Sequence, residues 1–200
     1  MISAGNDIVA LQAVDVQRTQ LPAFYSKFIT PAEFALHKPN EISLVNFVWT
    51  LWSAKESAYK YLKRINSELV FAPAKIAVQQ LSLPSPLKTN ADAHNQYLGK
   101  LQISDGTLAF ITIINEQFIA TVIDEGDVNW AVKQIESSDY ESQSQAVRSF
   151  LLDGLKMPGV SVEKHSGGYP VLMKGGVTLD ITVSFAHHDR YISYCYQIPK

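Results

Sequence analysis

The sequence predicts an α+β fold in which a helix followed by an antiparallel sheet occurs twice. Three observations carry this. Residues 41–65 contain no Gly or Pro and repeat apolar side chains at three- and four-residue steps (Leu44, Phe47, Val48, Leu51, Ala54, Ala58, Tyr61, Leu62), the period of an amphipathic helix. The runs 97–103 and 107–114 flank Ser104-Asp105-Gly106, a hairpin turn, and 117–123 follows as a further strand. After the polar stretch Glu136–Asp139 comes a second helix pattern with Val147, Phe150, Leu151 and Leu155 on one face, then a glycine-rich turn, Ser166-Gly167-Gly168-Tyr169-Pro170, and strands near 178–185 and 190–198. No repeat of fixed period links the halves, but they are similar in kind. The expectation is two pseudo-symmetric helix-plus-antiparallel-sheet modules, residues 1–128 and 129–200.

The remaining elements follow from local signals. Residues 1–12 read as a short strand with the turn-prone Ser3-Ala4-Gly5-Asn6 inside it. Thr30-Pro31-Ala32-Glu33 has the form of a capping box with proline at the first helical position, so a helix is expected from there through Leu36. Lys60, Lys63 and Arg64 close the long helix at its negative pole. Residues 68–79 read as a strand whose Pro73 makes it an edge or a bulge, and 82–96 as a polar loop.

Composition bounds the function. At 200 residues the chain can bury a full core without disulfide or metal support. Its one cysteine, Cys195, cannot form an internal bridge and no Cys/His spacing fits a zinc site, which points to a reducing compartment, the cytoplasm. No basic region followed by a long apolar run marks the N-terminus, and no run approaches a membrane span, so a soluble, unprocessed chain is expected. The balance of 17 Lys+Arg against 19 Asp+Glu argues against a nucleic-acid binder and requires any anionic partner to be met by a local patch.

Two segments carry candidate chemistry. Trp52, Glu56 and Lys60 share one face of the long helix at i, i+4, i+8, holding a carboxylate between an aromatic ring and an ammonium. The bland reading is an exposed Glu-to-Lys pair, worth about 0.2–0.5 kcal/mol, although a tryptophan on a polar face needs something to cover it. In Gly5-Asn6-Asp7-Ile8-Val9 an acidic residue stands in an apolar strand, costly to bury without a cation or donors, or else an Asx-type turn. Carboxylates from two elements, Asp7 and Glu56, suit a magnesium ion that keeps waters and takes phosphate oxygens from a substrate.

In this order, Gly5-Asn6-Asp7-Ile8-Val9, Phe28-Ile29-Thr30-Pro31-Ala32-Glu33 and Trp52-Ser53-Ala54-Lys55-Glu56-Ser57-Ala58-Tyr59-Lys60 resemble the G-x-D strand, T-x-x-E stretch and W-S-x-K-E-A/S-x-x-K helix of the 4′-phosphopantetheinyl transferase superfamily. Later, Gln145–Leu152, Gly168-Tyr169-Pro170 and Ser184-Phe185-Ala186-His187-His188-Asp189-Arg190-Tyr191 resemble the helix, G-K-P turn and S-x-S-H-x-G-R strand of the larger, surfactin-synthetase-type members, with the two modules in swapped order. The resemblance implies transfer of the phosphopantetheine arm of coenzyme A to a serine of an apo acyl or peptidyl carrier protein, with release of 3′,5′-ADP, as in holo-acyl-carrier-protein synthases of fatty-acid biosynthesis. It implies Asp7 and Glu56 as Mg²⁺ ligands, Glu56 also as base and Lys60 as the catalytic cation. It assigns Lys55, His187, Arg190 and Gly168 to coenzyme A, and Arg18 to the position of an arginine near the partner in the small trimeric synthases. Lys63, Arg64 and Lys27 join Lys60 and Arg18 as cations that could steer an acidic carrier.

The chain departs from the pattern at three positions. Val9 stands in place of a third acidic ligand, Tyr169 in place of the lysine of G-K-P, and Ala186 in place of a serine. These departures motivate an alternative, a catalytically weakened homologue that binds a carrier protein or coenzyme A; a purely structural module is a third reading. Two modules in one chain would supply internally the interface that small synthases build between subunits, so a monomer is expected.

Overall fold

A computed structural model describes residues 3–82, 95–104 and 106–199. Strand β1 (Asn6–Ala10) is followed by three single-turn helices, α1 (Val16–Thr19), α2 (Pro22–Tyr25) and α3 (Pro31–Phe34), and then by the long helix α4 (Leu44–Ile65). Strands β2 (Ala77–Ser82), β3 (Asn95–Ile103), β4 (Gly106–Ile114) and β5 (Phe118–Ile123) complete an antiparallel sheet ordered β1-β5-β4-β3-β2. The second half comprises β6 (Asn129–Gln134), α5 (Tyr140–Leu155), β7 (Val160–Lys164), β8 (Pro170–Lys174), β9 (Val177–Thr178), β10 (Thr182–His188) and β11 (Tyr191–Gln197). It forms two small antiparallel sheets, β10-β11-β6 and β7-β8-β9. The mixed α+β architecture with antiparallel sheets is the one the sequence predicts. Among the described residues no helix is long and apolar enough to cross a membrane.

Helix α4 begins where Ser43 accepts from the Asn46 N–H and carries Lys63 and Arg64 in its last turn. Its stripe of Phe47, Val48, Leu51, Ala54 and Ala58 is buried against Val9, Val78, Leu101, Phe110 and Ile119 of the large sheet. Strand β1 is covered on both faces. Asp7 and Val9 face α4, while Asn6, Ile8 and Ala10 face β10 and β11, where Ile8 and Ala10 pack with Phe118, Ala120, Ala186 and Tyr191. Fully buried Asn6 donates its side-chain N–H to Ser193 Oγ at 3.0 Å, and its backbone N–H goes to Ser184 Oγ at 3.3 Å. Outside the small sheet, α5 buries Val147 and Leu151 against Val183, Ile192 and Tyr194.

Several expected boundaries shift for physical reasons. The small residues 3–5 make no turn. Ser3 instead donates to the Tyr61 carbonyl, and the Gly5 carbonyl accepts from Ile123 N–H, so this stretch feeds extended into β1. The capping box forms as expected, but its helix stops at Phe34 after one turn. Pro73 opens a short 3-10 turn, which delays the expected strand to Ala77. Most of the expected loop 82–96 lies outside the described residues, as does Asp105 of the hairpin turn. Strands β6, β7 and β8 are additions that short, half-exposed runs do not announce, and the strand expected near 178–185 is divided between β9 and β10.

The approach of β1 to α4 depends on a missing side chain. A Cβ on Gly5 would lie 2.1 Å from the Ser57 carbonyl oxygen and 2.7 Å from the Tyr61 nitrogen. Both obstacles are backbone, so neither can swing aside. Gly5→Ala should therefore lower stability by about 2 kcal/mol or more and the melting midpoint by about 4–8 °C; an unchanged midpoint in a thermal melt would refute this close contact.

Candidate active site

Where β1 crosses α4, three charged side chains meet. Asp7 comes from the strand, and Glu56 and Lys60 come from successive turns of the helix. Lys60 Nζ donates to Asp7 Oδ1 at 3.1 Å and to the Asn6 carbonyl at 3.0 Å. The half-buried Glu56 carboxyl accepts no hydrogen bond from any described residue. Burial pushes its pKa up, the neighbouring Asp7 charge pushes it further, and Lys60 pulls the other way. Two oxygen-ligand groups that repel one another, with only one shared ammonium to offset them, fit a hard divalent cation that retains several waters. Among the described residues no group of three or more His, Cys, Asp and Glu side chains could hold a metal. Val9, the next β1 residue on the α4 face, is buried in the apolar core.

From Lys60 a cavity of about 430 Å³ runs between α4, α5, β10 and the β7–β8 turn. Lys60, Lys63, Arg64, Arg148, Lys164 and His187 line it, and among the described residues no acidic side chain does. Burial lowers the His187 pKa, with the Lys60 charge adding to the effect, Asp7 opposing it and His188 adding a little, so the ring is neutral near pH 7. Its neighbour is the edge-on ring of Tyr140 at 5.4 Å. Gly168 lines the groove at φ +90°, a conformation that favours glycine. Such a groove can hold an extended, multiply phosphorylated ligand with one end at Lys60, the partner of Asp7.

A family model of the 4′-phosphopantetheinyl transferase superfamily matches residues 3–122, more than half of the chain. The chain belongs to this superfamily. No curated protein matches it. The family match covers β1, α4 and the large sheet, and it supports a phosphopantetheinyl transferase activity in general terms.

Within this transferase, not every residue assigned to coenzyme A by sequence reaches the groove. Lys55 is turned the opposite way and is fully buried. Its ammonium donates to the Phe28 carbonyl at 2.5 Å, the Pro73 carbonyl at 3.0 Å and the Glu33 carboxylate, whose nearer oxygen is 2.7 Å away. All three of its donors are thus spent and none remains for a phosphate. Glu33 also accepts from Thr30 and from Val78 N–H, so the pair binds α3, α4 and β2 together. Arg190 is exposed at the β10–β11 turn and Arg18 is exposed on α1 with its guanidinium 5.0 Å from the Phe24 ring; neither lines the groove. Lys63 lines it but also donates to the Ser67 and Leu69 carbonyls, closing the end of α4. Trp52 is covered by Phe28 and Phe71, with Trp49 beside it, so its place on the helix is explained by aromatic packing. Arg148 and Lys164 had no assigned role in the sequence, since only the tertiary fold brings α5 and the end of β7 alongside α4.

Two outcomes follow. Lys55→Met leaves the Glu33 carboxylate buried without its cation, so it should cost about 3–5 kcal/mol in denaturant unfolding, whereas Lys60→Met, at a half-buried pair, should cost a small fraction of that. Equal losses would contradict the division between a structural and a site lysine. For Glu56 the folded-state pKa lies above the unfolded one. Both states are protonated at low pH, and the folded state then pays increasingly for ionisation as pH rises through that window. In melts without metal the Glu56→Gln midpoint should therefore gain on that of wild type as pH climbs above about 4.5; parallel profiles for both proteins would contradict it.

Proposed function

We propose that this chain is a magnesium-dependent 4′-phosphopantetheinyl transferase that moves the phosphopantetheine arm of coenzyme A to a serine of an apo acyl or peptidyl carrier protein and releases 3′,5′-ADP. The observation that carries this reading is the Asp7–Glu56–Lys60 cluster, whose Lys60 also lines a groove rich in cations. Asp7 and Glu56 are the residues that would hold the magnesium ion. When bound, the ion supplies charge neutralisation at the pyrophosphate.

In this reading the carrier serine Oγ forms a bond to the phosphorus bearing the pantetheine arm, and the phosphoanhydride bond to 3′,5′-ADP breaks. Glu56 takes the serine proton directly or through one water. Lys60 offsets charge gathering on the leaving phosphate, having one ammonium donor beyond those given to Asp7 and Asn6. His187, neutral and lining the groove, offers one N–H to a phosphate of the nucleotide. The reading treats residues 1–128 as the module carrying the metal ligands and catalytic helix and 129–200 as the one supplying the rest of the nucleotide groove, in a monomeric cytoplasmic enzyme. The second reading, a homologue that binds a carrier or coenzyme A without turnover, is favoured by Val9 and Ala186, both buried in apolar packing.

Mass spectrometry of an apo acyl carrier protein incubated with the chain, coenzyme A and magnesium decides between them. The expected result is a mass gain of one phosphopantetheine arm, abolished by a chelator and reduced at least about 10²-fold in rate by Glu56→Gln. Carrier binding with no mass gain on fatty-acid, polyketide or peptide-synthetase carriers would instead establish the second reading.

A further inference from the structure

We propose that Arg64 is a phosphate-binding residue of the groove and that Tyr169 is the positioning residue that holds its guanidinium there. The inference rests on the transferase reading and names the subsite for the 3′-phosphate of coenzyme A within it. Arg64 is half-buried and lines the cavity. It forms no ion pair with any described carboxylate, an unusual state for a half-buried cation. Its Nη1 donates to the Pro170 and Val183 carbonyls, each at 3.0 Å, so two of its five N–H groups are used. The other three have no partner among the described residues and suffice for a two-pronged contact with a phosphate.

The orientation of this fork is fixed by stacking. The guanidinium carbon lies over the Tyr169 ring, 4.6 Å from its centroid, and that ring is also stacked on His165 at 4.4 Å with 9° between the planes. Tyr169, held by His165, thus joins the end of α4 to the β7–β8 turn through Arg64. Arg64 is one helical turn beyond Lys60, about 6 Å along the axis. Two cations so placed on one helix meet two separate phosphate groups of one ligand, Lys60 the group at the carboxylates and Arg64 one further along the groove. Arg148 and Lys164 line the same cavity and add to the positive potential there. On this view Tyr169 does not empty the site of charge. It supplies the surface on which a helix arginine takes the place of a lysine in the turn.

The test is calorimetric binding of 3′,5′-ADP and of 5′-AMP, which lacks the second phosphate, to the protein without metal. Wild type should prefer 3′,5′-ADP by about tenfold or more. Arg64→Gln should abolish the preference, Arg64→Lys should retain a part of it, Tyr169→Phe should keep it and Tyr169→Leu should lose most of it. In the Arg64→Gln background, Tyr169→Lys should restore it by returning an ammonium to the groove. A folded Arg64→Gln protein, checked by its melting profile, that keeps the full preference overturns the inference while leaving the transferase reading intact. Wild type that binds neither nucleotide and modifies no carrier overturns both.

Discussion

The contact on which the structure depends is the near-touching of β1 and α4 at Gly5. With no Cβ in the way, the strand approaches the helix so closely that Ser3 bonds to the Tyr61 carbonyl and Lys60 reaches across to the Asn6 carbonyl. Asp7 is two residues along the same strand, so the distance between the strand and helix backbones sets how far its carboxylate stands from Glu56 and Lys60. A strand held farther out would separate these groups, and the Asp7 repulsion that adds to burial in raising the Glu56 pKa would fade. The chemistry of the site is therefore set first by backbone proximity and only then by side-chain choice.

Strand β1 transmits this position to the second half of the molecule. Its two faces serve different partners, with Asp7 and Val9 toward α4 and Asn6, Ile8 and Ala10 toward β10 and β11. Asn6 is bonded to Ser184 and Ser193 of the small sheet. Ser184, Phe185 and His187 of β10 line the groove, so the sheet that holds β1 from behind also forms part of the groove wall. The β10 end is tied to β1 by a further hydrogen bond, from Ala10 N–H to His188 Nδ1 at 2.9 Å. Through these contacts the carboxylate cluster and the cation-lined groove are built on two strands of different sheets, β1 and β10, tied together by side-chain hydrogen bonds.

How much of this was legible in the sequence varies by element. The cap at Thr30, the long helix and the hairpin were readable because caps, helical period and turn residues are local signals. The direction of Lys55 was also present in the sequence, since Leu51, Lys55 and Ala58 stand at helical spacing and the first and last are core residues. The family resemblance assigns this lysine to coenzyme A, whereas helical geometry puts it on a different face from its neighbour Glu56. The facing of Asp7 was not legible, because a strand covered on both sides has no alternation to reveal which side a residue takes. Arg148 and Lys164 could not be identified as groove residues, since their proximity to Lys60 is a product of tertiary packing alone.

The net charge of −2 conceals a separation of charge that the fold creates. Lys55 and Glu33 neutralise one another in the core, and Asp7 is paired with Lys60, so these charges contribute little field at a distance. The groove cations Arg64, Arg148 and Lys164 have no carboxylate within ion-pair distance among the described residues, and their field is left uncancelled. A concave surface with low-dielectric walls concentrates such a field, which raises the local concentration of anions in a salt-dependent way. Lys60 belongs to both systems. It is the partner of Asp7 and it is the first cation of the groove, so an anion drawn along the groove arrives at the one ammonium already committed to a carboxylate. Any cation that takes over Asp7 frees Lys60 for that anion, and this exchange couples the two halves of the site.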